Sequence, residues 1–184
     1  SSTSRGLGDV YKRQNVYSSA ETASAAVDGM YRGLIEYGYY GNQFMVLNHL
    51  SSGFGVTRRG GTRNNTADNS TLSSLKPTSN SLQLKNSWRA IYNAIARNND
   101  AIASIDPMEN PVSLDELVIN DAIGHAYFLR AFNYFNLVRL WGEVPLRTAP
   151  ALKETINLAK SPISDIYAQI IADAKLAQKY MNGN

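Results

Sequence analysis

Arg58, Arg59, Arg63, Asn64, Asn65 and Asp68 are the residues best placed to make directed polar contacts with a ligand. Guanidinium groups donate in forks, asparagine amides donate and accept, and a carboxylate accepts. Together they form the set needed to recognise neighbouring hydroxyls. All six lie in Ser51–Ser81, where Ser, Thr, Asn and Gly account for 20 of 31 residues. Inside a compact domain, structureless connections beyond about 12 to 15 residues are usually functional or disordered. A binding loop is therefore one reading, and a flexible surface excursion is the other.

A second candidate precedes this loop. Tyr37, Tyr39, Tyr40 and Phe44 are interleaved with Gly38, Gly41 and Asn42. Rings such as Tyr39 and Tyr40 can form a platform on which a ligand stacks. The alternative is that they pack under a loop or against the next helix, as buried aromatics commonly do.

Other chemistries find no support. The only histidines are His49 and His125, and no HExxH arrangement exists. A lone helical histidine such as His125 is usually a hydrogen-bonded structural residue. There is no cysteine, which excludes disulfides and zinc-thiolate sites from this sequence. Asp106 with Glu109 and Asp115 with Glu116 fall at expected helix ends, where carboxylates satisfy amides and complement the dipole. No serine stands in a GxSxG elbow, and Gly53-Phe54-Gly55 lacks the third glycine of a dinucleotide fingerprint. Asn64-Asn65-Thr66 and Asn69-Ser70-Thr71 fit the glycosylation sequon, which matters only in a eukaryotic secretory pathway. No positive case for an enzyme, a metal or a cofactor emerges.

The formal charge of +3 invites a nucleic-acid reading, but most of it is terminal. Arg5, Lys12 and Arg13 against Asp9 give the first 14 residues a net +2, leaving +1 for the rest. This segment, residues 1–14, has no helical or strand period, reads as a non-native N-terminal scar, and is set apart from the fold. The sequence as a whole is 43% hydrophobic, and the remaining chain, 15–184, is long enough to bury a core. No apolar run approaches the ~18 residues of a membrane-spanning helix.

Four helices are expected to position the candidate residues. Ser18 and Glu21 have capping-box spacing, and Ala23, Val27, Met30, Tyr31 and Leu34 give the helix that follows, to about Tyr37, one apolar face. A second helix covers about Leu84 to Ile105, with Trp88, Ile91, Tyr92, Ile95, Ile102 and Ile105 inward and Arg89, Arg97, Asn98 and Asp100 at wetter positions. Pro107 ends it. Ser113 and Glu116 make another capping box, opening a helix that runs to Trp141 before Gly142 and Pro145 stop it. On that helix Gly124, Tyr127, Phe128, Ala131, Tyr134, Phe135, Val138 and Trp141 form one stripe expected to be buried, with Gly124 admitting a close neighbour. Ser161-Pro162 begins the fourth helix, and no stretch reads as a strand.

Read together, Trp88-Arg89-Ala90-Ile91-Tyr92-Asn93-Ala94-Ile95 with Asn98 and Asn99, then Phe128-Leu129-Arg130-Ala131-Phe132 through Phe135, then Trp141-Gly142-Glu143-Val144-Pro145-Leu146, resemble the SusD/RagB-like family. The resemblance spans about Asn15 to Tyr180. It implies an all-α fold of tetratricopeptide-like helix pairs, here the incomplete N-terminal helical domain, with the long polar loop between the first two helices. It further implies an outward-facing lipoprotein of the outer membrane, its lipidated cysteine absent from this sequence. Such a protein binds a glycan, as an oligosaccharide or polysaccharide, or another large nutrient, for import with a SusC-like TonB-dependent transporter. It is not an enzyme and has no nucleic-acid partner. Arg130 would pair with a carboxylate or lie against an aromatic face.

The chain departs from the family pattern at Gly124-His125-Ala126, where glutamate is usual at the middle position. It departs again at Ser52-Gly53-Phe54, where acidic residues are common in starch-binding members, so the ligand would be read in another way. The alternative is a tetratricopeptide-like interaction scaffold without a glycan role, although helix starts near 18, 84, 113 and 161 do not follow a fixed 34-residue repeat.

Overall fold

Serine caps set where two of the helices begin. In the computed structural model, which describes residues 19–42, 44–45, 48, 82–150 and 158–181, the first helix, α1, spans Ala20–Leu34. Ser19 caps it, and the expected Ser18 lies outside the described residues. The Thr22 amide donates to Ser19 Oγ at 3.2 Å, and the Ser19 amide donates back to Thr22 Oγ1 at 3.3 Å. A threonine hydroxyl three residues on thus takes the part that glutamate takes in a capping box. Helix α2 is Leu82–Ser104.

Helix α3, Leu114–Trp141, has both arms of the expected Ser113–Glu116 capping box and runs unbroken for 28 residues. It ends at Gly142, whose φ of 68° is open to glycine at little cost. A short antiparallel ladder follows, pairing β1 (Val144–Pro145) with β2 (Lys160–Ser161). The sequence offered no strand here, because two residues are too few to establish an alternating period. Helix α4, Ile163–Met181, completes the described elements. These helices make up the all-α fold expected of the resemblance.

Two compact units are distinguished, one of Ser1–Tyr31 with Ala94–Asn184 and one of Arg32–Asn93. In the first, α3 and α4 pack antiparallel, since Gly124 lies against Ala177 and Met181 while Gly142 lies nearest Ile163. A Cβ on Gly124 would sit 2.5 Å from Met181 Cγ and 3.0 Å from its backbone nitrogen, so glycine is what permits this approach.

The core includes Ile123, Leu129, Tyr134, Leu137 and Ile166, each 1% exposed or less. The aromatic stripe of α3 is only partly inside, because Phe128 is 43% and Phe135 39% exposed. The helix is apolar nearly all round, and the sector left open to water contains these two rings. Asn98, expected at a wet position, is buried instead and accepts from Asn133 Nδ2 at 2.9 Å.

A polar network holds the chain that leaves α3. Tyr134 Oη donates to the Arg147 carbonyl at 2.8 Å and accepts from the Arg147 amide at 2.6 Å. Asn99 Nδ2 donates to the carbonyls of Arg147 and Ala149, and Arg130 Nη1 to that of Thr148. Irregular backbone needs such partners wherever water is excluded.

Candidate functional site

Within the unit Arg32–Asn93 the chain leaves α1 through a tight turn. The Tyr39 and Gly41 amides donate to the Glu36 carbonyl at 2.9 and 3.0 Å, and the Tyr40 amide donates to that of Leu34 at 2.9 Å. Gly38 lets the turn lie against α2, for a Cβ there would stand 2.8 Å from the Asn86 carbonyl oxygen and 3.1 Å from Ala90 Cβ. The result is an open cleft lined by Glu36, Tyr37, Gly38, Asn86, Arg89, Ala90 and Asn93.

The lining is polar on one side and aromatic on the other. Asn86, Arg89, Ala90 and Asn93 follow one another at i, i+3, i+4 and i+7, so they share a face of α2. Tyr37 is 63% exposed and offers its ring to solvent. A planar ring beside a guanidinium, a carboxylate and two amides can both stack on a ligand and exchange directed hydrogen bonds with its hydroxyls.

Of the sequence candidates, Tyr39 and Tyr40 are among the described residues, and neither lines this cleft. Tyr39 is fully buried, its ring 5.1 Å from Phe44 and 4.8 Å from Tyr40, so its surface is taken up by packing. Tyr40 is half-buried in the same cluster. Arg58, Arg59, Arg63, Asn64, Asn65 and Asp68 lie outside the described residues. Glu36, Asn86, Arg89 and Asn93 were missed as a group. The only signal for Asn86, Arg89 and Asn93 was their shared helical face, and its meaning depends on the turn, with Glu36, that Gly38 folds against it.

One other grouping has a chemical look. Tyr31 Oη lies 2.8 Å from His125 Nδ1, and Asp121 Oδ2 lies 3.2 Å from His125 Nε2. A hydroxyl, an imidazole and a carboxylate in line can activate a nucleophile. Here, however, burial first and the charge of Asp121 second push the Tyr31 pKa upward, away from the phenolate that activation needs. The set links α1 to α3 and satisfies the histidine.

A family model described as SusD-like, starch-binding associating with outer membrane, matches residues 11–183. The chain belongs to the SusD-like family. Among its relatives, SusD-like protein P2 of Formosa agariphila is 32% identical over 96 residues, covering 51% of this chain and 18% of that protein. A SusD homolog from Bacteroides thetaiotaomicron superposes with a TM-score of 0.77 at 23% identity, over 92% of this chain and 32% of the other. A laminarin-binding SusD-like protein superposes at 0.63 with 27% identity, over 84% and 32%. This SusD-like chain therefore spans about a fifth to a third of the length of the relatives it matches.

Proposed function

We propose that this protein binds a glycan or another large nutrient at the cell surface for import with a SusC-like TonB-dependent transporter, and catalyses no reaction on it. The observation that carries the reading is the open cleft, where exposed Tyr37 stands beside Glu36, Asn86, Arg89 and Asn93. Sugars present vicinal hydroxyls and apolar ring faces, and the cleft has a partner for each. The outer-membrane association in the family's description and the laminarin binding of one relative support the same reading. The protein is on this view an outward-facing lipoprotein, and Arg58, Arg59, Arg63, Asn64, Asn65 and Asp68 add contacts to those of the cleft.

The test is calorimetric titration of the full-length gene product with laminarin and a panel of other polysaccharides. Tyr37→Ala and Arg89→Ala should each weaken binding roughly tenfold, about 1.4 kcal/mol. Unchanged affinity in both variants for a confirmed ligand removes the cleft from the site. Unchanged affinity in Arg58→Ala and Arg63→Ala removes the loop. Failure to bind any polysaccharide would leave the glycan reading without support.

A further inference from the structure

The connection between α2 and α3, with the first turn of α3, holds apolar side chains out in water. Val112 is 89% exposed, Leu114 76%, Leu117 40% and Met108 36%. Each forgoes burial that would stabilise the fold, and exposed apolar groups gathered at one place commonly mark a contact surface.

This tip is fixed in shape by side chains assigned to that task. Asn120, buried in α3, accepts from the Met108 amide at 2.8 Å and donates to the Met108 carbonyl at 2.7 Å. Glu116 Oε2 accepts from the Val112 amide at 2.6 Å and from the Ser113 amide at 3.0 Å. The backbone bearing Met108 and Val112 is thus clamped at both, so a partner would meet a surface whose ordering cost is already met.

Charge identifies what kind of partner fits. From Asn98 to Leu129 there are six carboxylates and no lysine or arginine, whereas the rest of the chain has nine carboxylates against 18 basic residues. Asp106, Glu109 and Asp115 are exposed around the apolar tip, and none joins an ion pair among the described residues. Such a field attracts a basic surface and repels an anionic membrane.

We propose that the α2–α3 tip is a protein-docking surface for a partner presenting an apolar pocket bordered by lysine or arginine. Val112 and Leu114 enter the pocket, and Asp106, Glu109 and Asp115 meet its rim. The glycan cleft is built of other residues, so either reading can fail without the other.

The test places photo-crosslinking p-benzoylphenylalanine at Val112, and separately at Leu114, in the full-length gene product in its own cells. Ile171, 53% exposed on α4, serves as the control position. The expected result is an adduct with one other protein, formed from the tip and not from Ile171, whose crosslinked peptide has lysine or arginine flanking apolar residues. Changing Asp106 and Glu109 together to lysine should cut its yield about tenfold while the melting curve stays put, Asp115 being left in place because it lies in the first turn of α3. The proposal is overturned by no adduct, by adducts only within the same polypeptide or with a second copy, by a crosslinked peptide without basic residues, or by yields indifferent to charge reversal.

Discussion

Arg130 and Asp173 meet through two parallel hydrogen bonds, Nε to Oδ2 and Nη2 to Oδ1, each 2.8 Å long, with both side chains buried. The pair joins α3 to α4, and the other atoms of both groups are also satisfied. Asn99 Oδ1 and the Thr148 carbonyl accept from Arg130 Nη1, while Gln169 donates to Asp173 Oδ1. A buried ion pair so supplied is costly to break from one side, because the remaining charge keeps its desolvation penalty. Asp173→Ala should therefore destabilise the protein by about 3 to 5 kcal/mol. Arg130→Met with Asp173→Leu should cost less than the sum of the two single changes. A urea-denaturation cycle over the four proteins measures this, and strict additivity would show that the pair acts as two independent groups.

Glu116 gives a pH dependence of definite sign. Amide hydrogen bonds from Val112 and then Ser113 hold its pKa below the ordinary glutamate value of 4.5. A carboxylate depressed in the folded state stabilises that state above its unfolded pKa, and the contribution disappears as pH falls through the folded value. Glu116→Gln should therefore melt below wild type at neutral pH, and the difference should shrink as the pH is taken below 4.5. Melting curves that stay parallel down to strong acid would contradict it.

Tyr134 operates at the other end of the scale. Burial, the largest influence, pushes its pKa up to about 12, against opposing hydrogen-bond and arginine contributions. In the unfolded chain the phenol ionises near 10, so between 10 and 12 the unfolded state loses its proton first and stability falls as pH rises. Tyr134→Phe should remove this alkaline loss. It should also cost about 1 to 3 kcal/mol at neutral pH, because the Arg147 amide loses the hydroxyl it donates to and the Arg147 carbonyl is left with the bond from Asn99 Nδ2. Ultraviolet titration of the phenolate beside denaturation at each pH tests both parts.

Local signals were legible in the sequence and distant ones were not. The Ser113–Glu116 box and the Gly142 stop involve residues within a turn of one another, so spacing was enough. Arg130 could be expected to find a carboxylate or a ring, but not that Asp173, 43 positions away, would be the one. Asn98 looked like a wet-side residue because its partner Asn133 is 35 positions distant. The cleft was hidden for a similar reason. Tyr37 and Arg89 come together only through the turn after α1, and no periodicity reports how a turn lies on a neighbouring helix.

Gly124 and Met181 offer a test of close packing. An alanine Cβ at 124 would meet Met181 Cγ at 2.5 Å and the Met181 backbone nitrogen at 3.0 Å. The thioether chain can turn aside, whereas the backbone can yield only if the end of α4 shifts. Gly124→Ala should cost about 1 to 3 kcal/mol, the usual range for overpacking. Shortening Met181 to alanine in the same chain should recover part of that loss and leave the backbone share. Full recovery would locate the whole conflict in the methionine side chain, and no loss in the single variant would mean that α3 and α4 have room to part.

Phe128 and Leu129 are neighbours whose burial differs, and they separate apolarity from packing. The apolar spacing of α3 put Phe128 on the buried stripe, where truncation to alanine would cost about 3 to 5 kcal/mol. In the fold the ring is 43% exposed and lies 6.4 Å from that of Phe132 in a stacked arrangement, while Leu129 is 1% exposed. A half-solvated ring loses less on truncation, since its neighbours keep water on one side and little cavity forms. Leu129→Ala should therefore cost about 2 to 5 kcal/mol, and Phe128→Ala clearly less, despite the larger side chain removed. Denaturant midpoints of the two variants decide the matter. If Phe128→Ala proved the more damaging, the sector of α3 assigned to solvent would be covered in the folded protein.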